Sequence, residues 1–192
     1  LPSVWGLDVS RFGNDKTALC KRQGSIVTEI RSWSGLDLMQ TVGRVVAEYE
    51  GLQPSKRPRE ILVDSIGLGS GVVDRLRELE LPVRGINVAE APSMGATYLN
   101  LRSELWFKTK GWLEDSACKL PKDDQLLAEL TGIRYSFTSS GKMKAESKDE
   151  MRKRGLASPD LADALCLTMA SDAATALSGA FSSWRGEIKR NL

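Results

Sequence analysis

Val4-Trp5-Gly6-Leu7-Asp8-Val9 is a short apolar run that carries one carboxylate near its end. Its composition predicts a β-strand that is buried on both faces of a sheet. The residues at 10–15 have the composition of a turn, so we expect Asp8 at the point where the strand ends. An ionised carboxylate in such a place is costly unless it is paired or bound to a metal. Asp8 therefore either caps the turn or ligates a metal from a rigid element.

Ile61-Leu62-Val63-Asp64-Ser65-Ile66 repeats the pattern of an apolar strand that ends in an aspartate. If the two strands are neighbours, Asp8 and Asp64 reach the same end of the sheet. Open α/β sheets place their functional sites at that end. The two strands together therefore predict a paired carboxylate site.

A third acidic stretch is Ser158-Pro159-Asp160-Leu161-Ala162-Asp163. It predicts a helix with Ser158 at the N-cap, Pro159 at the first position and an end near residue 175. Asp160 and Asp163 are three residues apart, so they share one face of this helix. Either they join the strand aspartates at one site, or Asp160 serves only to complement the helix dipole.

Composition narrows the chemistry that these carboxylates can perform. The 192 residues include no histidine, which excludes Ser-His-Asp and Cys-His catalysis and every histidine metal site. The three cysteines are far apart, which argues against a zinc site and a disulfide framework and predicts a reducing cytoplasm. Clustered carboxylate oxygens suit Mg²⁺ or Mn²⁺. Two such ions, about 3.5–4 Å apart, would stabilise the attacking and leaving oxygens of a phosphodiester displacement.

The order of predicted elements indicates a ribonuclease-H-like α/β fold. The opening run and two predicted strands within residues 16–33 make three strands joined by short turns, which predicts an antiparallel meander. Helices and strands then alternate as in a parallel sheet. The net charge is only +2, and no run approaches the apolar length of a membrane span. We expect one domain over residues 1–176 and a frayed tail over 177–192. The absence of an initial methionine suggests a domain excised from a longer protein.

Two further patterns each have two interpretations. The glycine-rich run at 67–71 is either a phosphate-cradling loop or a tight turn between a strand and a helix. The densest basic region either grips a DNA backbone or forms a solvated, charge-balanced face. Its members are Lys142, Lys144, Lys148, Arg152, Lys153 and Arg154.

An ordered set of segments resembles the nuclease domain of tailed-phage large terminase subunits. The segments, spread over about residues 4–170, are G-L-D-V-S-R-F-G-N-D-K-T-A, V-D-S-I-G-L-G-S-G-V, Y-L-N-L-R-S-E-L-W, E-S-K-D-E-M-R-K-R-G and S-P-D-L-A-D-A-L. The resemblance implies a ribonuclease-H-like domain that binds two divalent metals. It also implies an endonuclease that cuts concatemeric viral DNA at the start and end of genome packaging.

The resemblance also assigns roles to residues of this chain. Asp8 and Asp64 match the strand aspartates that ligate metal, and Asp160 is favoured as the third ligand over Asp163, a close second. Lys148 matches a lysine near the site. The implied partners are double-stranded DNA, a small terminase subunit and a portal protein, in the host cytoplasm. The ATPase domain that belongs to the same polypeptide in that family is absent from these residues.

Two other classes of function are compatible with parts of the sequence. Residues 8–17 faintly suggest the first phosphate loop of actin-like or sugar-kinase-type nucleotide-binding domains, although that fold needs two such domains. A non-catalytic DNA-binding module is the second alternative, in which metal and the aspartates are dispensable. The leading hypothesis is a metal-dependent DNA endonuclease with weak sequence specificity.

Overall fold

A mixed β-sheet of five strands forms the centre of the chain, in the order β3-β2-β1-β4-β5. The computed structural model describes residues 2–10, 15–115 and 117–171. The pairs β1–β2 and β2–β3 are antiparallel, whereas β1–β4 and β4–β5 are parallel. This is the predicted meander followed by a parallel portion. The strands are β1 (Ser3–Asp8), β2 (Thr17–Gln23), β3 (Ile26–Trp33), β4 (Glu60–Asp64) and β5 (Val83–Ile86).

Six α-helices and a small hairpin surround the sheet within the described residues. The helices are α1 (Leu38–Glu50), α2 (Leu68–Glu78), α3 (Leu101–Glu114), α4 (Asp124–Gly132), α5 (Lys148–Lys153) and α6 (Asp160–Leu167). The hairpin consists of β6 (Tyr135–Phe137) and β7 (Met143–Ala145), and short 3₁₀ helices cover Pro54–Lys56 and Thr168–Ala170. In this part of the chain, no helix is both long and apolar enough to span a membrane.

Alternation along the central strands divides the core into two layers. Trp5 and Leu7 of β1 pack with α1 and α2, whereas Val4 packs with α3 and α6 on the opposite face. Side chains two residues apart in a strand lie on the same face. Asp8 therefore faces the same way as Val4, and Asp64 the same way as Leu62, which packs in the layer of α6.

Gly6 lets α6 lie directly against β1. A Cβ atom at this position would stand 2.0 Å from the carbonyl oxygen of Ala164, so no larger residue fits without movement of the helix. The buried Ala162 and Ala164 present equally small side chains on the helix. The close approach brings the first turn of α6 to the strand that carries Asp8.

The start of α6 differs from the prediction. Pro159, not Ser158, is the N-cap residue, and no side chain of the cap accepts a helix hydrogen bond. The carboxylate of Glu129 in α4 accepts one instead, from the amide of Ala162 at 2.9 Å. A tertiary contact has replaced the local cap that the Ser-Pro pattern predicted.

The predicted end of α6 was also wrong. The α-helical part of α6 ends at Leu167, and a 3₁₀ turn follows to Ala170, so the helix does not run on to residue 175. Helix α3 begins at Leu101, because the side chain of Asn100 caps it by accepting from the amide of Ser103. The division into a domain at 1–176 and a tail at 177–192 stays a prediction, since residues 172–192 lie outside the described residues.

Candidate active site

Asp8 and Asp64 lie side by side at the carboxyl ends of two parallel strands. Leu7 pairs with Val63 in the register of β1 and β4, so the next residue of each strand is an aspartate. Asp8 is buried and Asp64 is half-buried, and both line a cleft of about 340 Å³. The parallel register thus builds the carboxylate pair that the strand pattern predicts.

The two acids of α6 have different surroundings. Asp163 lines the same cleft as Asp8 and Asp64, and its Oδ1 accepts a hydrogen bond from Trp106 Nε1 at 2.8 Å. Asp160 is buried, and its Oδ2 accepts from the backbone amide of Lys16 at 2.7 Å. The structure therefore brings Asp163 into the cleft and uses Asp160 to hold the segment that leads into β2.

Lys148 places its ammonium group among these carboxylates. Its Nζ lies 2.9 Å from Asp8 Oδ2 and 3.4 Å from Asp163 Oδ2. Asp160 Oδ1 is farther away, at 3.7 Å. Lys148 is the first residue of α5, a helix that Ser147 and Glu150 start with a reciprocal capping box. A local capping motif thus delivers the lysine to acids that are distant in sequence.

Burial makes this group of charges dependent on a positive partner. Burial raises the pKa of Asp8 above its ordinary value, and the Lys148 ammonium opposes that rise. Burial also raises the pKa of Asp64 and of Asp160. For Lys148, burial acts to lower the pKa, but Asp8 and Asp163 outweigh it, so the pKa is raised and the lysine stays charged. Desolvated carboxylates of this kind are stabilised by a nearby cation.

The donor atoms suit a hard divalent cation, although the present arrangement is not a finished metal cluster. Asp8, Asp64 and Asp163 supply only carboxylate oxygens, which Mg²⁺ and Mn²⁺ prefer. Within residues 2–10, 15–115 and 117–171, no three acidic, cysteine or histidine side chains are already grouped to hold an ion. The Lys148 ammonium stands between the carboxylates instead. The residues fit the metal by chemistry and by sharing one cleft.

The basic region is largely charge-balanced. Lys144 lines the cleft and pairs with Glu150 at 2.6 Å. Arg152 pairs with Asp15 at 2.6 Å and with Asp149 at 2.9 Å. Arg154 pairs with Glu146 and Lys148 with the acids of the cleft, whereas Lys142 and Lys153 form no ion pair among the described residues. The solvated-face interpretation accounts for most of these cations in the free protein.

The glycine-rich run serves close packing. Gly67 has a φ of +65° and is the N-cap residue of α2. A Cβ atom at Gly69 would stand 1.6 Å from the carbonyl oxygen of Asp64, and one at Gly71 would stand 2.5 Å from Leu38 Cδ1. These contacts favour a tight turn between β4 and α2 over a phosphate-cradling loop.

Three residues that contact the site were missed at the sequence level. Arg102 and Trp106 of α3 contact Asp163, and Glu129 of α4 binds the first turn of α6. An available signal was the spacing of Arg102 and Trp106, which are four residues apart and so share a helix face. No local pattern pointed to Glu129, because its partner is 33 residues away.

Comparisons with solved structures identify the fold. The nuclease domain of the large terminase subunit gp2 of bacterial virus Sf6 superposes with a TM-score of 0.75 at 22% identity, over 88% of both chains. The large terminase nuclease of thermophilic phage G20c, solved with bound magnesium, gives a TM-score of 0.68 at 17% identity, over 88% of this chain and 81% of that one. The chain has the terminase nuclease fold.

Further solved structures of terminase nucleases are also similar to this chain, whereas comparisons with protein families and curated proteins found no match. The Thermus phage P74-26 large terminase nuclease domain gives a TM-score of 0.65 at 16% identity, over 87% of this chain and 77% of that one. A manganese-bound mutant of the Sf6 domain and a cobalt-bound form of the G20c domain are also similar. No protein-family model and no curated protein matches the sequence. The terminase nuclease fold confirms the predicted ribonuclease-H-like mixed sheet.

Proposed function

We propose that this chain is the nuclease domain of a phage large terminase subunit, a metal-dependent endonuclease that cuts concatemeric double-stranded DNA during genome packaging. The observation that carries the proposal is the convergence of Asp8, Asp64 and Asp163 on one cleft. The fold supports it, because similar structures are terminase nuclease domains with bound manganese or magnesium.

Asp8, Asp64 and Asp163 would hold the metal. The proposed third ligand is therefore Asp163, rather than Asp160, which the resemblance favoured. Two Mg²⁺ or Mn²⁺ ions would supply Lewis-acid activation of water and stabilise the charge that develops on the phosphate. Asp160 lies one helical turn earlier and keeps the Lys16 backbone in place beside the site. Lys148 offsets part of the negative charge of these acids in the free protein and would contact a substrate phosphate in the cleft.

The rest of the proposal concerns binding and partners. Lys142, Lys144, Arg152 and Lys153 lie on the hairpin and on α5, close to the cleft, and would contact the DNA backbone. Lys144 and Arg152 would exchange their carboxylate partners for phosphates when DNA binds. The small terminase subunit, the portal protein and an ATPase domain of the same polypeptide are the expected partners, in the host cytoplasm.

Plasmid cleavage tests the proposal. The purified protein is incubated with Mg²⁺, Mn²⁺ or EDTA, beside Asp64→Asn and a matched control, Asp74→Asn. Asp74 is an acid on the next element, α2, and its side chain is 72% exposed. We expect cleavage that needs the metal, is lost in D64N and is retained in D74N.

Two results would contradict the proposal. If folded protein cuts under no metal but binds DNA, the chain is a non-catalytic DNA-binding module. Cleavage that survives D64N would place the activity outside the cleft described above.

A further inference from the structure

The side chain of Asp163 is held from one side by helix α3. Its Oδ1 accepts hydrogen bonds from Trp106 Nε1 at 2.8 Å and from Arg102 Nη2 at 3.1 Å. Its Oδ2 is 3.4 Å from Lys148 Nζ, a residue that lines the cleft, and it also accepts a longer hydrogen bond of 3.4 Å from Arg102 Nη2. The two shorter contacts with α3 thus fall on Oδ1, while Oδ2 has only the longer contact with Arg102 and also faces Lys148.

The two donors are themselves fixed. Arg102 Nη1 donates to the carbonyl oxygen of Glu146 at 2.6 Å, and the guanidinium lies 5.7 Å from the centre of the Trp106 ring. The Trp106 side chain packs in the core, with a residue exposure of 7%. Because both donors have lost their freedom to packing, they restrict Asp163 to one orientation at little further entropic cost.

Asp160 has no such support from α3. Its Oδ2 is used by the Lys16 amide, and it does not lie among the residues that line the cleft. The two acids share one helix face, so their different roles arise from what packs against each of them. The α3 donors select Asp163.

We infer that Trp106 and Arg102 are positioning residues that orient Asp163 as a metal-ligating carboxylate, with Oδ2 toward the cleft. The inference rests on the proposed nuclease function. The neutral indole N–H of Trp106 orients the carboxylate without cancelling its charge, whereas Arg102 links it to the backbone that precedes α5. Residues that orient metal ligands in this way change metal affinity by about 10- to 100-fold when they are replaced.

The test measures Mn²⁺ binding by calorimetry, with no cleavage assay. Trp106→Phe removes the N–H donor and keeps an aromatic ring. Trp112→Phe is the matched control, because Trp112 is on the same helix and its buried Nε1 makes no hydrogen bond within the described residues. We expect W106F to weaken Mn²⁺ binding by about 10- to 100-fold and W112F to bind like the wild type.

A second readout reports the contact itself. In a proton–nitrogen NMR spectrum, the Trp106 indole resonance is identified by its loss in W106F and that of Trp112 by its loss in W112F. We expect the Trp106 resonance to shift in Asp163→Asn and on addition of Mg²⁺, and the Trp112 resonance to stay in place. A purely structural role for Trp106 would not couple its resonance to the metal.

The outcomes separate this inference from the function on which it rests. Wild-type affinity in W106F, or a Trp106 resonance that ignores both Asp163→Asn and Mg²⁺, overturns the positioning role and leaves the nuclease proposal standing. Absence of Mn²⁺ binding by the folded wild type overturns the metal-dependent nuclease, and the positioning role with it. If W106F does not fold, Arg102→Gln is measured in its place with the same expected loss of affinity.

Discussion

Replacement of Gly6 by alanine should separate the sheet from the helix that completes the site. The added Cβ would lie 2.0 Å from the Ala164 carbonyl oxygen and 3.0 Å from Thr168 Cγ2, whereas ordinary contact begins at 3.4 Å. Helix α6 would therefore have to move by about 1.4 Å, the difference between the first and last of these distances. Overpacking of this kind costs about 1–3 kcal/mol, and the backbone obstacle places Gly6→Ala at the upper end.

The same displacement should impair the site. Asp163 lies in α6 and Asp8 is the last residue of β1, so a shift of one element relative to the other changes the distance between the two carboxylates. Misplacement by about 1 Å can reduce a catalytic rate by about 100-fold. We therefore expect G6A to lose most of its metal-dependent cleavage under conditions in which it is still folded.

Urea unfolding followed by circular dichroism measures the stability, and plasmid cleavage measures the activity. Gly43→Ala is the control, because Gly43 lies in α1 and a Cβ there would meet nothing within 4 Å. A helix-interior glycine costs about 0.5–1 kcal/mol relative to alanine, so G43A should be stabilised slightly. If G6A unfolded at the same urea concentration as the wild type with the same slope, the close approach of β1 and α6 would be wrong.

Two further predictions concern buried groups away from the carboxylates. Burial raises the pKa of Cys20 to about 12 and also raises that of Cys166. At pH 8, iodoacetamide should therefore label only the half-buried Cys118 in the native protein, as measured by mass spectrometry. Rapid labelling at Cys20 would contradict the packing of the sheet. Glu129→Ala should lower the free energy of unfolding by about 1–3 kcal/mol, because the Ala162 amide loses its partner, while Glu129→Gln should retain most of it. Burial raises the pKa of Glu129 above its value in the unfolded chain, so the wild type loses stability as the pH rises from the lower of these two pKa values through the higher one. Glutamine does not titrate, so urea unfolding should show E129Q gaining stability relative to the wild type from pH 4 to pH 7. A difference that stays constant with pH would contradict the buried charge.

Much of the fold was predictable because it depends on short-range patterns. The apolar run that ends at Asp8 and the similar run that ends at Asp64 each specify a buried strand, and alternation within each strand places its aspartate on a defined face. The helix over Leu38–Glu50 starts at Asp37 because Asp37 and Gln40 form a capping box that is visible in the sequence. Such signals need only neighbours within a few residues.

The start of α6 could not be predicted from local sequence patterns. Ser-Pro is a good local start signal, but the observed first turn is satisfied by Glu129, which lies on another helix. Local propensities are small, so a single buried tertiary hydrogen bond outweighs them. The choice between Asp160 and Asp163 was undetermined for the same reason, since helical spacing gives both acids the same face.

The sequence by itself determined which residues can do chemistry here: carboxylates and lysines without histidine, two of the acids at strand ends and two on one helix. Only the tertiary structure decided which of them meet. Lys148 reaches Asp8 across 140 residues, and Trp106 reaches Asp163 across 57. Periodicity reports which face of an element is buried, but it carries no information about the partner on the other side. That partner is set by how the whole chain packs, here through the contact of α6 with the backbone of Gly6.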